Sequence, residues 1–266
     1  MFIYKKPIYG GLQFVDGSPV FNWKQDDMDH DVVCLAHESS GTFDENGVRY
    51  IYGYKYPSNK NSEGRVLFRQ FIKHASPNTY KSEDVSDFIE MGVLQIEEFA
   101  QFNNFGALVH VEPSHSPSLV DEIGWYISEH TNCPYFDYTL VKRLCSEVTI
   151  DDEKLDRVLK RLHYGKTRRE IKIAEIHKEF EDLKKSGATL VEMKKVNPSQ
   201  IRTAFSEFLK FKDEDQRVAY SALQGVDVLI YDDLWTSGST VKEIVRTLRS
   251  VHDNNRLTVF VLVKQH

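Results

Sequence analysis

Val228, Leu229 and Ile230 lead through Tyr231 into two adjacent carboxylates, Asp232 and Asp233. The chain then passes Leu234 and Trp235 into a hydroxyl-rich turn, Thr236, Ser237, Gly238, Ser239 and Thr240, and a helix-forming stretch at 241–248 follows at once. An apolar run of this length is expected to be a buried strand that ends where Asp232 and Asp233 leave the sheet. The turn would present unpaired backbone N–H groups and small hydroxyls at the start of a helix, where the helix dipole favours an anion. Gly238 allows the left-handed backbone that a phosphate cradle requires. Carboxylates beside such a cradle would repel the anion unless they accept hydrogen bonds from sugar hydroxyls or hold Mg²⁺ through water. A sugar phosphate with a metal ion satisfies all of these groups together.

These thirteen consecutive positions resemble the phosphoribosyl-pyrophosphate (PRPP) signature of the type I phosphoribosyltransferases, in which apolar residues precede two acids and a Thr-Thr-Gly-x-Thr-like loop. Tyr231, where an aliphatic is usual, and the bulky Trp235 depart from that pattern. The resemblance implies an α/β fold, a parallel twisted sheet flanked by helices, to which this chain adds an N-terminal β-rich segment and a helical insertion. The order of parts is most similar to the ComF-like branch, with Tyr52-Gly53-Tyr54-Lys55-Tyr56 ahead of the core and Lys142-Arg143 after its first helix. By the same resemblance, Thr236, Ser237, Gly238, Ser239 and Thr240 would hold the 5-phosphate. Asp232 and Asp233 would be the catalytic acids, accepting from the ribose hydroxyls and meeting Mg²⁺ indirectly. Ser114 and His115 would face the pyrophosphate.

Alternating and continuous apolar runs divide the chain into an N-terminal β-rich and helical segment, 1–104, and a core, 105–266, with an insertion at about 151–187. Strands are expected at 31–36 and 48–56 around a turn at 45–47, and helices at 66–74 and 82–99. In the core, a strand at 107–111, a polar loop at 112–118 and a helix at 119–130 make one unit. The run at 228–248 makes a second, and a last strand spans 257–263. Two such units imply a binding crevice at the carboxyl ends of the strands. The insertion reads as helical to Lys185, with Gly165 as a hinge and Gly187 as a C-cap. Asn197 and Pro198 suit a helix start, with Ile201, Ala204, Phe205 and Phe208 on its apolar face. His110, inside an apolar run, reads as a packed histidine, and Cys34 as a core thiol.

Residues 154–172 hold eight cations, Lys154, Arg157, Lys160, Arg161, Lys166, Arg168, Arg169 and Lys172, against Asp156 and Glu170, in a chain of net charge −6. Lys166, Arg168 or Arg169 would then be the mobile cation over a leaving pyrophosphate, or the insertion would meet a protein or nucleic-acid partner. The 266 residues, 41% hydrophobic and 28% charged, hold no bilayer-length apolar run and no secretory leader, which gives a cytoplasmic expectation. Three cysteines without ligand spacing argue against a disulfide framework or zinc site. The functional expectation is a Mg²⁺-dependent phosphoribosyltransferase acting on an unidentified acceptor, possible as an oligomer. The alternative is a weakly active or inactive nucleotide sensor or accessory protein of the same fold, in antiviral defence for instance.

Overall fold

A segment that is apolar on both faces is stable as a strand only when both faces are covered, and three segments of this chain fit that description: Phe105–Val111, Asp227–Trp235 and Arg256–Lys264. The computed structural model describes residues 11–15, 18–22, 33–35, 42–43, 47–55, 82–100, 105–112, 119–131, 137–189, 201–235 and 238–264. In chain order the elements are β1 (Gly11–Val15), β2 (Ser18–Asn22), β3 (Val33–Leu35), β4 (Thr42–Phe43), β5 (Arg49–Lys55), α1 (Ser82–Ala100), β6 (Phe105–Val111) and α2 (Leu119–Thr131). There follow β7 (Asp137–Lys142), β8 (Thr149–Ile150), α3 (Asp152–Arg161), α4 (Lys166–Ser186), β9 (Phe205–Ser206), β10 (Leu209–Phe211), α5 (Glu214–Ser221), β11 (Asp227–Trp235), α6 (Ser239–Arg249) and β12 (Arg256–Lys264). These elements form two compact units.

The first unit takes the chain up to Asp137, Gly225–Trp235 and the stretch from Asn255 onward. Its sheet is mixed, with a parallel centre: β6 pairs with β11, β11 with β12, and β12 with β5. β3 and β4 pair antiparallel with β5, and β1 lies antiparallel between β3 and β2. The fold is thus α/β, a mainly parallel sheet with helices. One face is covered by α1 and α2, whose buried Phe88, Ile89, Val93, Ile123 and Ile127 pack with Ile51, Leu229, Tyr231 and Phe260 from the strands. Helix and strand approach so closely here that a Cβ on Gly53 would lie 2.9 Å from the Leu262 carbonyl oxygen and 3.1 Å from the Gly92 Cα. Beside this contact the Tyr54 ring stacks on Phe88 at 4.4 Å and its hydroxyl donates to the Phe88 carbonyl at 2.8 Å. Burial, with Asp87 nearby, pushes the Tyr54 phenol well above its usual range. Residues on both sides of position 104 fall in this first unit. β5 belongs to the same ladder as β12, because its alternating Tyr50, Tyr52 and Tyr54 are all buried and need a partner strand.

The second unit comprises Tyr138–Gln224 and Thr236–Asn254. Its own core gathers Cys145, Val148, Leu155, Leu159, Ile176, Phe180, Ile201, Ala204 and Phe205. The helical insertion resolves into two helices. Asp151 caps α3 by accepting from the Lys154 amide at 2.9 Å, and α4 ends on Gly187 at φ 70°, the expected C-cap. Between them, His163 has φ 61°, the Tyr164 amide donates to Leu159 O and the His163 amide to Lys160 O, the Schellman closure usually given to glycine. Gly165 stands at the N-cap of α4 in extended backbone. The expected helix through 201–208 is not formed: Ile201–Ala204 is a 3-10 turn, and Phe205–Ser206 pairs with Thr149 and Ile150 as a strand. The 201/204/205/208 spacing mimics a helix face, but it is met by wrapping a short irregular segment over the second core. The helix expected at 66–74 lies outside the described residues.

Candidate functional site

Strand β11 does not end at its acids. Its pairing with β6 stops at Ile230 opposite Val109, whereas its pairing with β12 continues through Asp232 opposite Val261 to Trp235 opposite Lys264. This corrects the expectation that Asp232 and Asp233 leave the sheet: they stay in the ladder on one side and have passed the paired part of β6 on the other. Side chains alternate along a strand, and Leu229 and Tyr231 lie on the face that packs under α1 and α2. Both acids are half-buried, and the Asp233 amide donates to Asp232 Oδ1 at 3.0 Å. A carboxylate anchored by a backbone amide has one oxygen oriented and keeps lone pairs for hydroxyl donors.

Tyr231, the departure from the family pattern, has a structural role. Its ring is 1% exposed, and its hydroxyl lies 3.1 Å from Nδ1 of His110 on β6, itself 5% exposed. The ring centroids are 5.2 Å apart. On its other side the phenol faces Gly124 of α2, where an added Cβ would collide with the hydroxyl. His110 is thus the packed histidine expected. Its partnership with Tyr231 ties β6 to β11 one residue before the acids. Sequence reading missed the pair, although the signal was there: one polar residue in each of two apolar runs, where burial demands a partner.

The glycine of the turn behaves as its chemistry requires. Gly238 is the N-cap of α6 and has φ 69°, the left-handed region that a side chain disfavours. Among the described residues no side chain caps the helix there, and no acid stands in its first turn. Ser239 is buried and Thr240 half-buried. Thr236 and Ser237, like Ser114 and His115, lie outside the described residues.

The three cations expected to be mobile differ. Arg169 donates to Asp156 at 2.7 Å, an ion pair between α4 and α3, and to the Tyr164 carbonyl at 3.1 Å. The Arg168 guanidinium lies 5.3 Å over the Tyr164 ring, and Lys166 is exposed. As for a metal, Asp232 and Asp233 are hard oxygen donors of the class Mg²⁺ takes. No group of three His, Cys, Asp or Glu side chains among the described residues is placed to hold an ion. No helix among the described residues is long and apolar enough to cross a membrane.

No protein-family model and no curated protein matches the chain. Among solved structures it is similar to a hypothetical protein from Neisseria gonorrhoeae with bound ppGpp, at TM-score 0.35 and 11% identity over 70% of this chain and 69% of that one. It is also similar to a hypoxanthine phosphoribosyltransferase from Staphylococcus aureus. The orthorhombic form of that enzyme gives TM-score 0.34 and 10% identity over 69% and 74% of the two chains. The tetragonal form gives 0.32 and 12% over 69% and 73%.

Proposed function

We propose that this chain binds PRPP or a related ribose phosphate together with Mg²⁺ and transfers the phosphoribosyl group to an acceptor, releasing pyrophosphate. The observation that carries the reading is local and chemical. Two half-buried carboxylates at the carboxyl end of a parallel strand are followed, five residues after the second, by a left-handed glycine opening a helix that no side chain caps. In this reading the amides and hydroxyls from Thr236 to Thr240 take the 5-phosphate, Asp232 and Asp233 accept from the ribose hydroxyls, and Ser114 and His115 lie against the pyrophosphate. Lys166, Arg168 or Arg169 supplies a cation to the leaving group in the same reading, Arg169 exchanging its contact with Asp156.

The bond from ribose C1 to pyrophosphate breaks as the bond from C1 to the acceptor nucleophile forms, so the sugar gains positive character while pyrophosphate departs with the electron pair. The protein's part is to hold both partners in line and to fix dipoles where charge develops. Bound Mg²⁺ would neutralise pyrophosphate and ribose oxygens, and with two protein carboxylates in reach most of its ligands would come from substrate and water. Asp233→Asn is expected to abolish pyrophosphate release from PRPP, measured across a panel of bases and nucleosides, while the melting temperature stays within about 2 °C of the native value, as for a half-exposed substitution. Unchanged turnover removes the assignment. The second reading, a weakly active or inactive nucleotide sensor or accessory protein of the same fold, is favoured by the helical insertion α3–α4 standing where the family has a short loop. PRPP binding without pyrophosphate release selects it.

A further inference from the structure

Residues 157–169 contain six cations, Arg157, Lys160, Arg161, Lys166, Arg168 and Arg169, and no carboxylate, in a chain whose net charge is −6. The fold gathers them at the end of the α3–α4 hairpin. The nearest acids are largely committed: Asp156 to Arg169 at 2.7 Å, Glu175 to Lys172 at 2.8 Å and Asp152 to His177 at 2.7 Å, with Glu153 and Glu170 flanking the cluster. Arg157 donates Nε to the Glu153 carbonyl and Arg168 lies over a tyrosine ring, contacts that leave their charge in place. Lys160, Arg161, Lys166 and Arg168 are all exposed.

Local helix electrostatics accounts for two of the six cations. Lys160 and Arg161 occupy the last turn of α3, where the dipole favours cations. Lys166 and Arg168 occupy the first turn of α4, where it opposes them, and that turn has neither an acid nor a side-chain cap. Their placement opposes the helix dipole, and a bound anion would offset that cost. One small phosphate cannot meet all of these charges at once, because they are spread over two exposed helix ends. A strand of phosphodiesters matches spread charge. The guanidinium plane of Arg168, backed by Tyr164, suits an unpaired base, as aromatic and arginine platforms do in single-strand binders.

We propose that the end of the α3–α4 hairpin docks single-stranded nucleic acid, its phosphates against Arg157, Lys160, Arg161 and Lys166 and one base on Arg168. The test is fluorescence anisotropy of a labelled single strand of about 20 nucleotides with the full chain, without PRPP. Binding is expected to weaken about 50-fold between about 50 and about 200 mM salt, the loss for about four phosphate contacts on a single strand. Lys160→Glu with Arg161→Glu, and separately Lys166→Glu with Arg168→Glu, should each weaken it about tenfold or more and flatten the salt slope. Arg168→Lys should lose several-fold affinity at unchanged slope, because the charge stays and the plane goes. If a charge reversal unfolds the chain, judged by circular dichroism, Lys160→Gln with Arg161→Gln gives the same comparison. No binding at low salt, equal binding by the variants, or equal or tighter binding of a duplex or of polyglutamate would each overturn the proposal.

Discussion

At the scale of single residues, Tyr231 anchors the strand that carries Asp232 and Asp233. Its hydroxyl and His110 satisfy each other inside the sheet, and Gly124 leaves the room that the phenol fills. Tyr231→Phe leaves a buried imidazole nitrogen without this partner and should cost about 1–3 kcal/mol. Gly124→Ala pushes a methyl into the phenol and should cost a similar ~1–3 kcal/mol by overpacking. Thermal denaturation checks both, and the double variant separates them. Removing the hydroxyl relieves the clash, so the combined loss should fall short of the sum. A strictly additive pair would mean that phenol and helix do not press on each other. None of this was legible in advance, because period and polarity mark Tyr231 and His110 as misfits in their strands but only three-dimensional register shows that they meet. The left-handed Gly238, by contrast, was legible, since a glycine between hydroxyl residues at a strand-to-helix turn has few other uses.

At the scale of elements, the α3–α4 hairpin shows what termini contribute. Its turn places His163 at φ 61° in a Schellman closure, a conformation costing a non-glycine residue about 1–2 kcal/mol. His163→Gly should therefore raise the melting temperature by about 2–8 °C. A lower value would show that the imidazole makes a compensating contact. At the start of α3 the Lys154 amide holds the Asp151 carboxyl below the usual carboxylate range. Glu147 is likewise lowered, chiefly by the Lys210 ammonium at 2.8 Å and then by the Leu144 amide. A group whose folded pKa is depressed contributes stability above its unfolded pKa and loses it as pH falls through the folded value. Stability of this unit should thus decline between about pH 5 and pH 3. Asp151→Asn keeps a good cap and should flatten that decline while leaving stability near pH 7 almost unchanged. An unchanged acid limb would remove Asp151 from the cause. These helices were legible from capping and charge. The short β9 and β10 were not, because two- and three-residue strands carry no readable period, and the spacing of Ile201, Ala204, Phe205 and Phe208 pointed to a helix that the second core replaces with a turn and a strand.

At the scale of the whole chain, continuous apolar runs were enough to identify β6, β11 and β12 as parallel strands, since no other arrangement covers both of their faces. The place of β5 in the same ladder escaped, because its 52–56 stretch reads equally as an antiparallel hairpin strand and its partner β12 lies some two hundred positions further along. Of the candidate site, the acids, the turn and the order in which they come were legible. Which side of β11 stays paired at Asp232, and which cations stay unanchored, depends on contacts remote in sequence. The central claim is that Asp232 and Asp233 take up a ribose phosphate. Isothermal titration of the native chain and of the Asp232→Asn/Asp233→Asn double variant with PRPP and Mg²⁺ tests it most directly. The account expects saturable one-to-one binding by the native chain and a loss of about 30-fold or more in the variant, about 2 kcal/mol, at unchanged melting temperature. Equal affinity in the two proteins, or no heat of binding with the native chain, would contradict it.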